Sequence, residues 1–124
     1  MSGKNVLSIL SKHFDHVHLA CGKTDLRRGI DGLVALIETE LELDPYSSSM
    51  FLFCGTKLDR IKVLVYDGDG FTILYKRLEN GKFKWPRDSS EAKELTARQF
   101  AWFCDGLNIE QPNAIKPIGK TNNF

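Results

Sequence analysis

Apolar and polar positions alternate most regularly between Asp59 and Pro86, DRIKVLVYDGDGFTILYKRLENGKFKWP. β-branched and aromatic residues with a period of two read as strands. Asp67-Gly68-Asp69-Gly70 and Asn80-Gly81 interrupt the run with residues that tolerate the positive φ of tight turns. The pattern predicts a three-stranded antiparallel meander, and the turns set its register. Tyr66 should face Phe71, Val63 face Leu74 and Lys62 face Tyr75; beyond Asn80-Gly81, Leu78 should face Phe83 and Arg77 face Lys84. One side then collects Ile61, Val63, Val65, Leu74, Leu78, Phe83 and Trp85, a core face with Lys76 at its margin. The other collects Lys62, Leu64, Tyr66, Phe71, Ile73, Tyr75, Arg77, Lys82 and Lys84, aromatic at one end and basic at the other.

Elsewhere the pattern is helical or mixed. Residues 1 to 14 carry a weak helical signal with Val6, Ile9 and Leu10 on one side. HVHLA (16–20) reads as a short strand. Leu26, Ile30, Leu33, Val34, Ile37 and Leu41 share one helical face, predicting a long helix over 24–41 capped by Thr24 or Asp25. Gly29 and Gly32 inside it cost about 1 kcal/mol each against alanine, which points to close packing on the sheet or a partner. MFLFC (50–54) is apolar throughout and reads as a central strand covered on both faces. RDSSEAKE (87–94) has no apolar period and reads as a polar connector. Thr96 and Gln99 form a capping box, Leu95 and Phe100 a hydrophobic staple, and Gly106 a stop, predicting a second helix over 96–106. The fold class expected is α+β, with an antiparallel meander of about four or five strands packed against one long helix and closed by a second, C-terminal helix. An extension over 1–15 and an irregular tail over 108–124 flank the domain at 16–107.

Composition narrows the functional classes. The 124 residues are 42% hydrophobic and 27% charged, ordinary for a soluble single domain. No apolar run approaches the roughly 20 residues that span a bilayer, and Lys4, Ser8, Ser11 and Lys12 break up any signal-peptide core, so a cytoplasmic setting without membrane contact is expected. Cys21, Cys54 and Cys104 are far apart and odd in number, which supports neither a disulfide framework nor a zinc motif. The net charge of +1 is unevenly spread: residues 57–87 hold eight basic residues against four acids, while Glu38, Glu40, Glu42 and Asp44 form an unopposed acidic cluster.

This distribution makes nucleic acid the candidate ligand. Cations serve phosphate and rings serve bases, so Arg60, Lys62, Tyr75, Lys76, Arg77, Lys82 and Lys84 are candidate contacts, against the plainer reading of a solvated sheet face. Lys23, Arg27 and Arg28 at the predicted helix start add guanidinium forks beside helix N–H groups. Asp67 and Asp69 have metal-ligand spacing, but turn formation accounts for them. His16 and His18 point to one side of a strand, with no partner carboxylate or cysteine motif in the sequence. Cys21 lacks any accompanying His-Asp constellation. No catalytic residue, metal or cofactor is therefore expected.

TDLRRGIDGL (24–33), DPYS (44–47), MFLFCG (50–55), DRIKVLVYDGDGF (59–71) and KRLENGKFKWP (76–86) resemble the TnpB-type accessory protein, the second open reading frame product, of the sixty-six family of bacterial insertion sequences. The resemblance covers about residues 16 to 107. The chain departs from the family pattern at Ser48-Ser49, at Thr56-Lys57-Leu58, where a basic pair is usual, and at Tyr66. The resemblance implies a non-enzymatic accessory factor in DNA transposition. The partners it implies are the DNA of the element ends, the transposase and other proteins of the same element, and self-association is compatible with it. A transposase adaptor that never touches DNA, and a small metal-dependent nuclease, are the rival expectations.

Overall fold

The computed structural model describes residues 5–87 and 91–109. In chain order its elements are α1 (Val6–Ser11), β1 (His16–Ala20), α2 (Ile30–Thr39), β2 (Ser49–Cys54), β3 (Arg60–Tyr66), β4 (Phe71–Arg77), β5 (Ala92–Leu95) and α3 (Ala97–Cys104). The apolar run of β2 is buried at every residue, as a strand covered on both faces must be. It is the middle of a five-stranded sheet ordered β4-β3-β2-β1-β5.

The β2–β3–β4 part is antiparallel and has the expected register, with Lys62 opposite Tyr75, Val63 opposite Leu74 and Tyr66 opposite Phe71. The sheet as a whole is mixed, however, because β1 runs parallel to β2. The connection from β1 to β2 carries α2 over one face, and such a crossover returns the chain in the same direction. β5 pairs antiparallel with the outer side of β1, in a stretch whose composition reads as connector. As an edge strand it buries only Leu95, so it never needed an alternating apolar pattern.

Each sheet face has its own core. On one, Leu33, Leu36 and Ile37 of α2 pack over Ala20, Phe51, Phe53 and Leu64. On the other, Leu7 of α1 and Phe100 and Phe103 of α3 cover Leu19, Met50, Leu52, Ile61 and Val63, together with Phe83 and Trp85. The meander's expected core face is thus correct. Its other face is not open along its length: Leu64 is buried under α2, with Phe71 and Ile73 packed against the same cluster.

Several further expectations are corrected. The third meander strand does not form. Leu78 N–H donates to Asp59 C=O and Phe83 N–H to Leu58 C=O, so the chain wraps around the β2–β3 turn instead of pairing with β4. The gain is aromatic burial: Phe83 stacks on Phe103 at 5.5 Å, Trp85 meets Phe103 edge-on at 5.7 Å, and Trp85 Nε1–H donates to the Ala20 carbonyl at 3.0 Å. Leu58 holds φ 63 at that turn, a conformation costing a side chain roughly 1–2 kcal/mol, while its carbonyl accepts the Phe83 N–H and its side chain packs on the core.

The long helix is shorter than its apolar period suggests. α2 spans only ten residues and starts at the N-cap Gly29. Asp25 makes the difference, because its carboxylate accepts the Arg27 N–H at 3.0 Å and closes a local turn that competes with helix. Leu26 keeps its apolar role from the loop, lying over Gly55, where a Cβ would come within 3.2 Å of its side chain. Gly32 faces the Arg28 side chain rather than the sheet. On α1, Leu7 and Leu10 pack inward, while Val6 and Ile9 are exposed.

The C-terminal helix is as expected. Thr96 and Gln99 form both bonds of the capping box. Gly106 N–H bonds to Phe103 C=O and Leu107 N–H to Trp102 C=O, which is a Schellman stop with Gly106 at φ 80. Leu107 is exposed beyond it rather than sharing the buried face. No helix of the described residues is long and apolar enough to cross a membrane. Since Phe53 is wholly buried beneath α2, Phe53→Ala should lower stability by about 3–5 kcal/mol in chemical denaturation, whereas Val6→Ala should change it by less than about 0.5 kcal/mol.

Candidate functional site

Because β1 and β2 are parallel, both leave the sheet at the same end. Their exit loops meet there: Thr24 is buried, and its N–H donates to the Cys54 carbonyl at 2.8 Å. β3 begins at this end with Arg60, and β4 finishes there with Tyr75 to Arg77, Arg60 lying opposite Arg77. Lys23, Arg27, Lys57, Arg60 and Tyr75 consequently line one depression of about 620 Å³, floored by Leu26 and Gly55. Lys62 Nζ donates to the Arg28 carbonyl at 2.8 Å and ties β3 to the same loop.

Lys23, Arg27, Arg28, Lys57, Arg60 and Lys62 thus converge around this depression, with Asp25 and Asp59 among them. Arg27 pairs with Asp25 at 2.9 Å and Arg60 with Asp59 at 2.9 Å. The Arg27 guanidinium, helped by the Arg27 N–H, pushes the Asp25 carboxyl down to about 2 from its ordinary 3.8. The hydrogen bond from Arg60 lowers Asp59, and Arg60 is raised in turn by Asp59 first and then by the Tyr75 hydroxyl. Lys23, Arg28 and Lys57 have no carboxylate within ion-pair distance among the described residues. Tyr75 is 55% exposed and offers a ring face at the rim.

Of the ten residues singled out in the sequence, Lys23, Arg27, Arg60 and Tyr75 line the depression, and Arg28 and Lys62 adjoin it. Arg77 lies on the same face of β4 as Tyr75, its guanidinium 3.9 Å from Glu79. Lys76 lies on the opposite face, where it joins Lys82 at a small crevice beside Phe83 and Phe103. Lys84 is exposed on the segment that leaves the sheet. Lys23, Arg27 and Arg28 precede α2 rather than form its first turn: the N-cap is Gly29, and Arg28 just before it donates to the Gly32 carbonyl at 3.5 Å. Lys57 was missed: only the parallel pairing of β1 with β2 brings its loop against the Lys23–Arg28 loop.

The remaining candidates sort simply. Asp67 N–H donates to the Gly70 carbonyl, and Asp67 accepts from the Thr72 hydroxyl at 3.3 Å, as a turn residue does. Burial pushes the Cys54 thiol up to about 12 and the Cys104 thiol up to about 11, away from nucleophilic use. His16 and His18 share one side of β1, and β5 places Glu94 beside them.

A model of IS66 Orf2-like proteins matches residues 15–114. The chain belongs to that family. Two relatives from Sinorhizobium fredii (strain NBRC 101917 / NGR234) are similar over most of their length. The uncharacterized protein y4jC is 35% identical over 92 residues, 74% of this chain and 79% of that one. The uncharacterized protein y4hO is 31% identical over 111 residues, 90% of this chain and 89% of that one. No solved structure gives a significant match. Membership of the IS66 Orf2-like family implies an accessory role in transposition of an insertion sequence.

The Asp25–Arg27 pair at this site makes a direct prediction. A carboxyl held below its ordinary value favours the folded state above about pH 4 and loses that contribution as pH falls through about 2. NMR titration of the Asp25 carboxyl carbon should show a midpoint near 2, returning toward 3.8 in Arg27→Ala.

Proposed function

We propose that this IS66 Orf2-like protein is a non-catalytic transposition factor that binds nucleic acid at the end of the sheet where the β1 and β2 exit loops meet. The observation that carries this reading is the convergence of Lys23, Arg27, Arg28, Lys57, Arg60 and Lys62 from two loops and a strand around one open depression with Tyr75 at its rim. The unpaired Lys23, Arg28 and Lys57 supply phosphate contacts whose counterion release drives binding. Tyr75 supplies a stacking surface for an exposed base. Arg27 and Arg60, already held by carboxylates, orient the loops and contribute less net charge. DNA of the element ends is the ligand the family context favours, in the cytoplasm. The acidic end of α2 (Glu38, Glu40 and Glu42) lies away from this surface and is the face proposed for the transposase or another protein of the element.

Full-length protein should bind terminal-repeat DNA with affinity that falls steeply between low and physiological salt. Lys23→Ala, Arg28→Ala and Lys57→Ala should each weaken binding several-fold and reduce the salt slope by about 1, while Lys82→Ala and Lys84→Ala leave it unchanged. Equal binding by the triple Lys23/Arg28/Lys57 alanine variant would place the contact elsewhere. Absence of binding at low salt, with the transposase co-purifying, would establish the adaptor reading instead. Mg²⁺-dependent cleavage abolished by Asp67→Ala would establish a nuclease.

A further inference from the structure

At the opposite edge of the sheet from β4, the chain assembles a set of side chains with no part in the nucleic-acid surface. His16 and His18, two apart on β1, project to the same side. β5 runs alongside with Glu94 directly across from His18. One nitrogen from each imidazole and one Glu94 oxygen lie within 4.8 Å of one another. We propose that His16, His18 and Glu94 form a binding site for one divalent transition-metal ion of the zinc type, which fastens β5 to β1.

Geometry and chemistry both favour this ligand. Tetrahedral zinc with bonds of about 2.0–2.1 Å holds its ligand atoms about 3.3 Å apart. His16 Nδ1 and Glu94 Oε2 are 2.6 Å apart, and their side chains are 48% and 51% exposed, so small rotations open the space for an ion. His18 is held more firmly, its ring stacked on Phe51 at 5.3 Å and on His16 at 5.8 Å. Two imidazoles with one carboxylate suit zinc, cobalt or nickel, and not magnesium or calcium, which take oxygen-dominated shells. Beside the cluster lies a depression of about 400 Å³, lined by His18, Glu40, Glu42, Glu91 and Glu94. Its acidic wall concentrates cations, and its opening leaves a fourth position for water. The two binding elements are a strand near the start of the domain and one near its end, so the ion closes the sheet edge that depends on the most distant pairing.

Isothermal titration of the full chain with ZnCl₂, in a non-chelating buffer with a non-thiol reductant, tests this. One ion per chain is expected, with affinity at least tenfold weaker in Glu94→Gln and in His16→Gln. These exposed positions are chosen because His18 packs on Phe51. Saturating Zn²⁺ should raise the thermal midpoint of the native chain by about 5 °C and that of either variant by far less. Co²⁺ should give tetrahedral absorption without a thiolate charge-transfer band. Non-saturable binding, equal affinity in both variants, or a thiolate band assigning the ion to cysteine would each overturn the proposal, leaving His16 and Glu94 as a bare ion pair.

Discussion

A strand with six consecutive buried residues cannot tolerate an open face, and everything else in this protein answers to that requirement of β2. One face needs an amphipathic helix, and α2 supplies it. The other needs an apolar lid, which no single element provides. Leu7, Phe83, Trp85, Phe100, Phe103 and Ile109 assemble it from four separate parts of the chain. The same demand explains why Phe83 and Trp85 abandon a third strand position: under the sheet both rings are buried, Phe83 stacked on Phe103 and Trp85 against its edge.

The cationic depression is a by-product of topology. A crossover that lays α2 over β1 and β2 makes those strands parallel, and parallel neighbours release their loops side by side. Basic residues distant in sequence thereby become neighbours without any one segment being strongly basic. α2 separates the charges further: its N-terminus lies toward the arginines and its last turn carries Glu38 without a basic residue. Asp31 in the first turn suits the helix dipole, while Glu38 in the last turn opposes it at an exposed-site cost of a few tenths of a kcal/mol.

Much of the fold could be read from the residues. Alternation and turn chemistry specified the β3–β4 pairing, the apolar run specified the central strand, and Thr96 with Gln99 and Gly106 specified α3 at both ends. What failed had local causes. The Asp25 turn ended a helical period that Leu26 appeared to extend. β5 buries one side chain, and a strand that buries so little leaves no periodic trace. That second miss hid the cluster at the sheet edge, because His16 and His18 were visible but Glu94 sat in a stretch read as connector. The basic residues were visible by type, yet their grouping depended on the strand direction of β1, which alternation does not encode. Lys57 joins the group for that reason, whereas Lys76 lies on the other face of β4 and Lys82 and Lys84 leave the sheet with the strand that does not form.

The position of β1 also has a consequence for how the chain is made. It precedes both of its neighbours in the chain, β2 and then β5, and His16 meets Glu94 across 78 positions. Until β5 is synthesised, the outer side of β1 presents unpaired N–H and C=O groups on a strand already docked to β2. During that interval the nascent protein carries an adhesive border, and a neighbouring copy emerging from the same message could take the place reserved for the chain's own β5.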